Sequence, residues 1–251
     1  MDRAHLIAIS QKGAQRRIHI HGNPGTVEGR KLGGERSIAT HKKRKTAFKT
    51  LRKIKIPRHS SVLAELLGIF YGDGHVGEYQ ASIVTSSDTD LEHANHIRTI
   101  IQDLFGILPS LSFRKNKNAC TVLISSKQFS NFMEGMGMPI GNKIKKGISI
   151  PAWITGNRTY SRALIRGLID TDGCVYQDRH RVNGKEYTST CIAFTSASPE
   201  LIRFVYETLY REGYRPTQWG RHVRLRRRND VVSYVKTVGF SNPKHSRKIA
   251  L

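Results

Sequence analysis

The spacing of apolar and polar residues changes near Pro57. Before that point the apolar positions follow no clear period. Beyond it, runs with helical spacing alternate with short segments in which every second residue is apolar, the patterns of amphipathic helices and half-buried strands. In the first stretch they predict helices at 61–71, 88–104 and 128–135 and strands at 75–77, 81–86, 110–114 and 121–125.

The same order of elements returns in a second stretch. Helices are predicted at 160–171, 199–212 and 230–238, and strands at 174–181, 188–195, 215–220 and 222–227. Each stretch therefore has the order αββαββα, and the segment IPAWI at 150–154 marks the junction. The pattern predicts an α+β protein with an N-terminal arm at 1–57, a first repeat at 58–155 and a second repeat at 156–251.

Two nine-residue segments, LLGIFYGDG and IRGLIDTDG, match each other at an offset of 99 positions. Gly68 then corresponds to Gly167, and Asp73 corresponds to Asp172. A glycine inside a helix costs roughly 1 kcal/mol relative to alanine, so a close approach of another backbone is expected there. We predict that the two helices pack through these glycines and hold the two aspartates side by side across a pseudo-twofold axis.

Paired carboxylates of this kind have a definite chemistry. They repel each other unless they share a proton or bind a cation, and Mg²⁺ prefers oxygen ligands. A divalent ion held there can activate water for phosphodiester cleavage. A single Asp-Gly pair is more typical of a turn, but the same aspartate in both copies favours a functional site.

The charge of the chain points to a polyanionic partner. Its 251 residues include 42 Lys and Arg against 19 Asp and Glu, a formal net charge of +23. Residues 1–60 contribute 16 basic and 3 acidic residues, or +13, and the remaining 191 contribute 26 and 16, or +10. The basic arm is therefore either a solvated, disordered tail or a segment that orders along DNA phosphates.

Other classes of protein are not favoured. The three cysteines, Cys120, Cys174 and Cys191, lack a CxxC spacing, so we expect neither a disulfide framework nor a zinc site. No apolar run is long enough to span a membrane. We expect a prokaryotic cytoplasmic protein near the nucleoid; an organellar matrix or stroma is the alternative, because the start of the chain is acid-poor and bears arginine.

These motifs, their order and their spacing over roughly residues 58–251 resemble the LAGLIDADG homing endonucleases in their single-chain, two-motif form. The second motif is nearly the family signature, whereas the first has Leu67 and Tyr71 at two signature positions. The resemblance implies that Asp73 and Asp172 bind the metal. The preceding residues Gly72 and Thr171 complete the predicted ligand set, and Asp170 is expected to be structural.

The resemblance also implies a basic residue near the active centre late in each repeat. Lys143 lies 70 residues after Asp73, and Lys244 lies 72 residues after Asp172. Their role would be to stabilise charge in the transition state or to organise water. The alternative is that both are ordinary surface lysines, since Lys145 and Lys146 lie close by.

The family fold implies a saddle-shaped antiparallel sheet in each half, lying in the major groove of DNA. Alternation along a strand turns every second side chain toward the DNA. Arginine can contact guanine O6 and N7, while most basic contacts only position phosphates. The candidate DNA-binding residues are Arg114, Lys115, Lys117, Arg179, Arg181, Lys185, Arg224 and Arg226.

The predicted function is therefore that of a monomeric, Mg²⁺-dependent homing endonuclease. As the resemblance implies, it would cut both strands of double-stranded DNA at a long, nearly asymmetric site, leave short 3′ overhangs and be encoded by a mobile intron. One alternative is an RNA maturase that binds intron RNA and assists splicing. Another is a catalytically inactive DNA-binding regulator. The presence of both Asp73 and Asp172 favours cleavage.

Overall fold

The structure is a computed structural model that describes residues 3–23, 25–44 and 53–249. The chain divides into two compact units, Met1–Thr50 and Leu51–Leu251. The first unit holds helices α1 (Arg3–His21) and α2 (Val27–Arg44), and most of their described side chains face solvent. The weak apolar periodicity did not predict these helices, since helices that bury so little need no apolar stripe.

The second unit contains two halves with the predicted order of elements. The first half comprises α3 (Ser61–Asp73), β1 (Gly74–Val76), β2 (Ala81–Thr85), α4 (Leu91–Phe105), β3 (Ser110–Phe113), β4 (Cys120–Ile124), α5 (Lys127–Gly135), α6 (Lys143–Lys146) and α7 (Ala152–Thr155). The second half comprises α8 (Arg158–Asp172), β5 (Gly173–Val182), β6 (Lys185–Thr195), α9 (Pro199–Arg211), β7 (Thr217–Trp219), β8 (His222–Leu225), α10 (Arg228–Thr237) and α11 (Pro243–Ser246). None of the described helices is long and apolar enough to span a membrane.

Each half forms one four-stranded antiparallel sheet. The strand orders are β1-β2-β4-β3 and β5-β6-β8-β7, so the two sheets have the same topology. The first hairpin is short, with strands of 3 and 5 residues, whereas the equivalent hairpin of the second half has strands of 10 and 11 residues. The α+β repeat predicted from the sequence is thus confirmed, with one hairpin greatly extended.

The two motif helices form the centre of the second unit. In α3 the ten consecutive residues from Leu63 to Gly72 are all buried. A Cβ atom added to Gly68 would lie 2.3 Å from the carbonyl oxygen of Leu164, and one added to Gly167 would lie 2.2 Å from that of Glu65. Real Cβ atoms do not approach oxygen so closely, so the helices pack backbone to backbone at the predicted glycines.

An ion pair also joins the motif helices. Arg166 on α8 donates to Glu65 on α3 from Nε at 2.9 Å and from Nη2 at 2.6 Å. Burial raises the pKa of the Glu65 carboxyl, but hydrogen bonds from His96 and Ser241, together with the charge and hydrogen bond of Arg166, lower it to about 2. This carboxylate is therefore charged at neutral pH although it is almost fully enclosed.

The structure corrects several predicted boundaries. Both motif helices extend to their aspartates, two residues beyond Tyr71 in α3 and one residue beyond Thr171 in α8. Helix α4 begins at Leu91, three residues later than predicted, and its N-cap Asp90 makes no capping hydrogen bond with its side chain. The Asp90 carboxylate makes its contacts in the candidate active site instead.

Candidate active site

Asp73 and Asp172 are the last residues of α3 and α8. The chain then continues into a strand, because Gly74 and Gly173 are extended and donate to the carbonyls of Phe70 and Ile169. The C-terminal end of a helix carries a partial negative charge from its free carbonyl groups, which favours a nearby cation. Two carboxylates at two such ends therefore form a strongly cation-attracting site.

The two carboxylates lie near each other, and the charge of Asp73 acts on Asp172. Burial is the largest cause that raises the pKa of Asp172 to about 6; the charge of Asp73 raises it further, while Lys143 lowers it. Burial also raises the pKa of Asp73, although Lys143 and Lys244 oppose this. The structure thus brings the two predicted acids together, and their charges are partly balanced by two ammonium groups.

Gly72 allows this close approach. A Cβ atom at this position would lie 2.1 Å from Oγ1 of Thr171 and 3.5 Å from Oδ2 of Asp172. The Thr171 hydroxyl is turned back onto its own helix, where it donates to the carbonyls of Gly167 and Leu168 at 3.0 and 3.1 Å. Of the two residues added to the predicted ligand set, Thr171 therefore offers its carbonyl oxygen rather than its hydroxyl.

Lys143 lies at the carbonyl end of α3. Its Nζ donates to the carbonyl oxygens of Gly72, of Gly74 at 3.0 Å and of Phe70 at 3.4 Å. Burial lowers the pKa of the ammonium, and the charges of Asp172 and Asp73 raise it again. The nearby Lys146 is bound elsewhere, to the Ile140 carbonyl at 2.8 Å.

Lys244 is held by a residue from the other half. Its Nζ lies 3.0 Å from Oδ1 of Asp90, which also accepts from Asn242 Nδ2 at 2.8 Å. Burial raises the pKa of Asp90, but the hydrogen bonds and charge of these two residues lower it overall. Since Lys244 also lowers the pKa of Asp73, the lysine of the second half acts on the aspartate of the first.

Asp170 is structural, as expected. It is buried, and its Oδ2 accepts from the Ser241 backbone at 2.8 Å. Its own carbonyl accepts from Asn242 Nδ2 at 3.2 Å. Burial is the main cause that raises its pKa to about 7, against the hydrogen bonds from Ser241 and Asn242. Asp170 thereby fixes the segment that leads to Lys244.

Sequence reasoning missed Asp90 and Asn242. The sequence does contain one indication of Asn242, since an asparagine, Asn142, stands 100 positions before it. In the structure these two asparagines are the N-caps of the short helices α6 and α11. Lys143 is the first residue of its helix, whereas Lys244 is the second. One step along a helix rotates the side chain by about 100°, which accounts for the different partners of the two lysines.

The predicted DNA-binding residues fall into three groups. On β8, Val223 and Leu225 are buried, so Arg224 and the following Arg226 face outward as predicted. Arg226 pairs with Asp178 at 2.6 Å. Exposed basic side chains also lie in the turn after β3, at Arg114, Lys115 and Lys117.

The third group lies on the long β5–β6 hairpin. Arg179 and Arg181 share the alternation of Val175, whose side chain is buried, so they lie on the face opposite Arg224. Arg181 pairs with Glu186 at 2.9 Å. Lys185 has the opposite alternation and lies on the face of Arg224. The structure therefore does not bring all three residues to one surface.

The donor atoms at the helix ends suit a hard divalent cation. The carboxylates of Asp73 and Asp172 and the carbonyls of Gly72 and Thr171 are oxygen donors, the type that Mg²⁺, Mn²⁺ and Ca²⁺ prefer. The Gly72 carbonyl already accepts from Lys143. Among the described residues, no three His, Cys, Asp or Glu side chains cluster in a way that could hold a metal. Asp73 and Asp172 are therefore the two side chains that could bind a cation at this site.

Comparison with known proteins gives three findings. The family profile described as LAGLIDADG-like domain matches residues 60–137 and 159–242, well over half of the chain. The tRNA-splicing ligase RtcB of Methanopyrus kandleri is 28% identical over 153 residues, covering 55% of this chain and 15% of that protein. The replication factor C small subunit of Methanocaldococcus jannaschii is 30% identical over 162 residues, covering 55% of this chain and 9% of that protein.

Solved structures share the fold. I-SmaMI bound to an uncleaved DNA target in the presence of calcium ions superposes with a TM-score of 0.51 at 12% identity, covering 76% of this chain and 88% of that one. The matched profile spans both repeats, and the overlap extends over most of both chains.

Proposed function

The chain belongs to the LAGLIDADG-like domain family, and from this premise we propose that it is a site-specific, divalent-metal-dependent endonuclease of double-stranded DNA. One observation carries the proposal: two aspartates end the two packed motif helices side by side, and two lysines act on their charge. These two carboxylates and two ammonium groups lie together where a phosphodiester could be attacked. Stabilisation of the fold does not explain why they are grouped there.

The residues of the site have distinct tasks in this proposal. Asp73, Asp172 and the Gly72 carbonyl would hold Mg²⁺, which when bound lowers the pKa of water and stabilises the leaving oxygen. Lys143 and Lys244 place positive charge beside the carboxylates, where the phosphate becomes more negative during cleavage. Asp90 and Asn242 keep Lys244 in place.

The substrate follows from charge and symmetry. A net charge of +23 favours DNA, and two halves in one chain allow a monomer to bind a long, nearly asymmetric site. The sheet faces, rather than the arm alone, would contact the duplex. The neighbour I-SmaMI was solved bound to an uncleaved DNA target in the presence of calcium ions, which supports a DNA substrate and a divalent cation.

We also propose that the protein is encoded by a mobile element, specifically an intron. The matched segments make up 15% and 9% of two proteins with unrelated names, as expected of a module that moves between genes. Intron homing requires access to chromosomal DNA. Both relatives come from prokaryotes, so we place the protein in the prokaryotic cytoplasm near the nucleoid.

Cleavage of a randomised duplex library tests the proposal. The purified full chain is incubated with the library and Mg²⁺, and the cut ends are sequenced. Asp73→Asn and Asp172→Asn should each abolish double-strand cleavage while DNA affinity stays within a few-fold. Asp88→Asn is the matched control, because Asp88 is an exposed aspartate that belongs to neither motif helix.

Three other outcomes would contradict the proposal. Full cleavage by either helix-end variant would remove the metal site from the mechanism. Binding of an enriched motif without cleavage by the wild type would favour a DNA-binding regulator. Failure to bind or cut any duplex would favour the RNA maturase, to be tested with intron RNA.

A further inference from the structure

Among the described residues, strands β1 to β4 place no Lys, Arg, Asp or Glu on the outward face of the first sheet. In β1, β2 and β4 the residues Val76, Ile83 and Val122 are buried toward the helices, so their neighbours in the alternation face outward. Register places seven such residues in two adjoining rows, His75, Ser82, Leu123 and Ser110, then Val84, Thr121 and Ser112. Hydroxyl and aliphatic groups dominate this surface.

The outward face of the second sheet is different at equivalent positions. Arg224 lies beside Ala193 and Thr217, and His222 lies beside Thr195 and Trp219. Trp219 is 79% exposed, and Arg226 extends the same row. Arg224, His222 and Trp219 therefore replace Leu123, Thr121 and Ser112 of the first sheet, whereas Ala193, Thr195 and Thr217 have small or hydroxyl-bearing side chains.

These two surfaces suit different base edges in the major groove. Arginine binds guanine O6 and N7, whereas aliphatic side chains contact the thymine methyl group and hydroxyls pair with several bases. Val84 and Leu123 are the informative residues, because aliphatic side chains on an outward face gain little unless something covers them. In the first half, the positive charge lies instead in the turn at Arg114, Lys115 and Lys117, where it would contact phosphates.

We propose that the two halves recognise DNA of different composition: the first sheet contacts thymine methyl groups in an A·T-rich half-site, and the second sheet contacts guanine in the other half-site. Val84 and Leu123 are the specificity-determining residues of the first half, and Arg224 is that of the second. This inference rests on the proposed DNA-binding function and adds the composition of the substrate.

Selection by binding assigns the half-sites. The full chain is equilibrated with randomised duplexes, and bound sequences are read for the wild type, Arg224→Gln and Leu123→Ser, with thermal melts to verify folding. Arg224→Gln should relax a guanine preference by roughly tenfold at one or two positions of one half-site. The other half-site should be A·T-rich and unaffected by that substitution.

Removal of the thymine methyl then tests the contact without changing the protein. Replacing thymine by deoxyuridine in the A·T-rich half-site should weaken wild-type binding by about fourfold for each contacted methyl, the equivalent of about 0.8 kcal/mol. The same replacement should weaken DNA binding by the Leu123→Ser variant by a smaller factor. Equal affinity for thymine and deoxyuridine, or guanine preference in both half-sites, would overturn the inference. Cleavage in Mg²⁺, scored separately, decides the proposed nuclease function.

Discussion

The two halves of the second unit have the same backbone arrangement, but the groups that bind the lysine beside each motif aspartate differ. Lys143 is bound by carbonyl oxygens of its own half, at Gly72 and Gly74. Lys244 is bound by Asp90 from the opposite half. The two halves are alike at Gly68 and Gly167, where the packing of the motif helices fixes the backbone. They differ at the two lysines, whose positions depend on the side chains and carbonyls that bind them.

The same division holds on the sheets. Strand order and core alternation agree between the halves, yet the outward residues change from Leu123 and Thr121 to Arg224 and His222. A duplicated backbone thus provides two equivalent supports, and the side chains on them can differ without disturbing the core. An asymmetric DNA site requires this combination.

The largest effect is expected where the halves coincide. Gly68→Ala and Gly167→Ala each force a Cβ atom against a carbonyl oxygen of the other motif helix, so each should lower the free energy of unfolding by about 3 kcal/mol. Urea denaturation measures this. Gly135→Ala is the control, because that Cβ would meet nothing within 4 Å. A neutral result at either motif glycine would show that the helices are not packed backbone to backbone.

The next effect separates the two lysines. Lys143 opposes the raised pKa of both aspartates, whereas Lys244 acts on Asp73. Lys143→Met should therefore slow single-turnover cleavage by about 100-fold, and Lys244→Met by about tenfold. Asp90→Asn should reproduce the Lys244→Met effect because it releases that lysine. Equal rates for Lys143→Met and Lys244→Met would mean that the different partners have no catalytic consequence.

The ion pair between the halves is expected to be sensitive to acid. Glu65→Gln should cost about 2 kcal/mol at neutral pH, since Arg166 loses its partner. The pKa of Glu65 is lowered to about 2, so this stabilisation is present above the ordinary value of 4.5 and is lost as pH falls toward 2. Urea denaturation at pH 7 and pH 3 measures the difference.

An exposed ion pair provides the control for this measurement. Glu78 and Lys127 lie 3.4 Å apart, with side chains 58% and 36% exposed, so Glu78→Gln should change stability very little. If Glu65→Gln and Glu78→Gln behaved alike at pH 7, the link between α3 and α8 would not contribute to joining the halves.

The smallest effect concerns the coupling of the two acids. The pKa of Asp172 is raised to about 6. Protonation of Asp172 therefore stabilises the metal-free folded protein, and this contribution is lost as pH rises through about 6. Asp73→Asn removes a neighbouring charge and should lower the pKa of Asp172, whereas Asp88→Asn should leave it unchanged. Carboxyl-carbon NMR titration measures both, and a wild-type value near 4 would contradict the coupling.

Local pattern predicted those parts of the molecule whose packing repeats along the chain. Apolar spacing predicted α3 and α8, and the duplicated glycines predicted their contact. Asp73, Asp172 and Lys143 followed from the motif and its spacing. Asp90 did not, because its partner Asn242 lies 152 positions away and no local pattern links them. Helices α1 and α2 were missed because their side chains bury little.

The burial of α3 also has a consequence for synthesis. Its apolar surface faces α8, and Gly68 and Gly167 are 99 positions apart. At about 5–20 residues per second, the ribosome completes α3 several seconds before its partner emerges. During that interval the surface of α3 around Gly68 is exposed and can pack against any similar helix. A nascent first half would therefore tend to pair with another copy of itself, and fusing both halves in one chain makes the correct partner the nearest one.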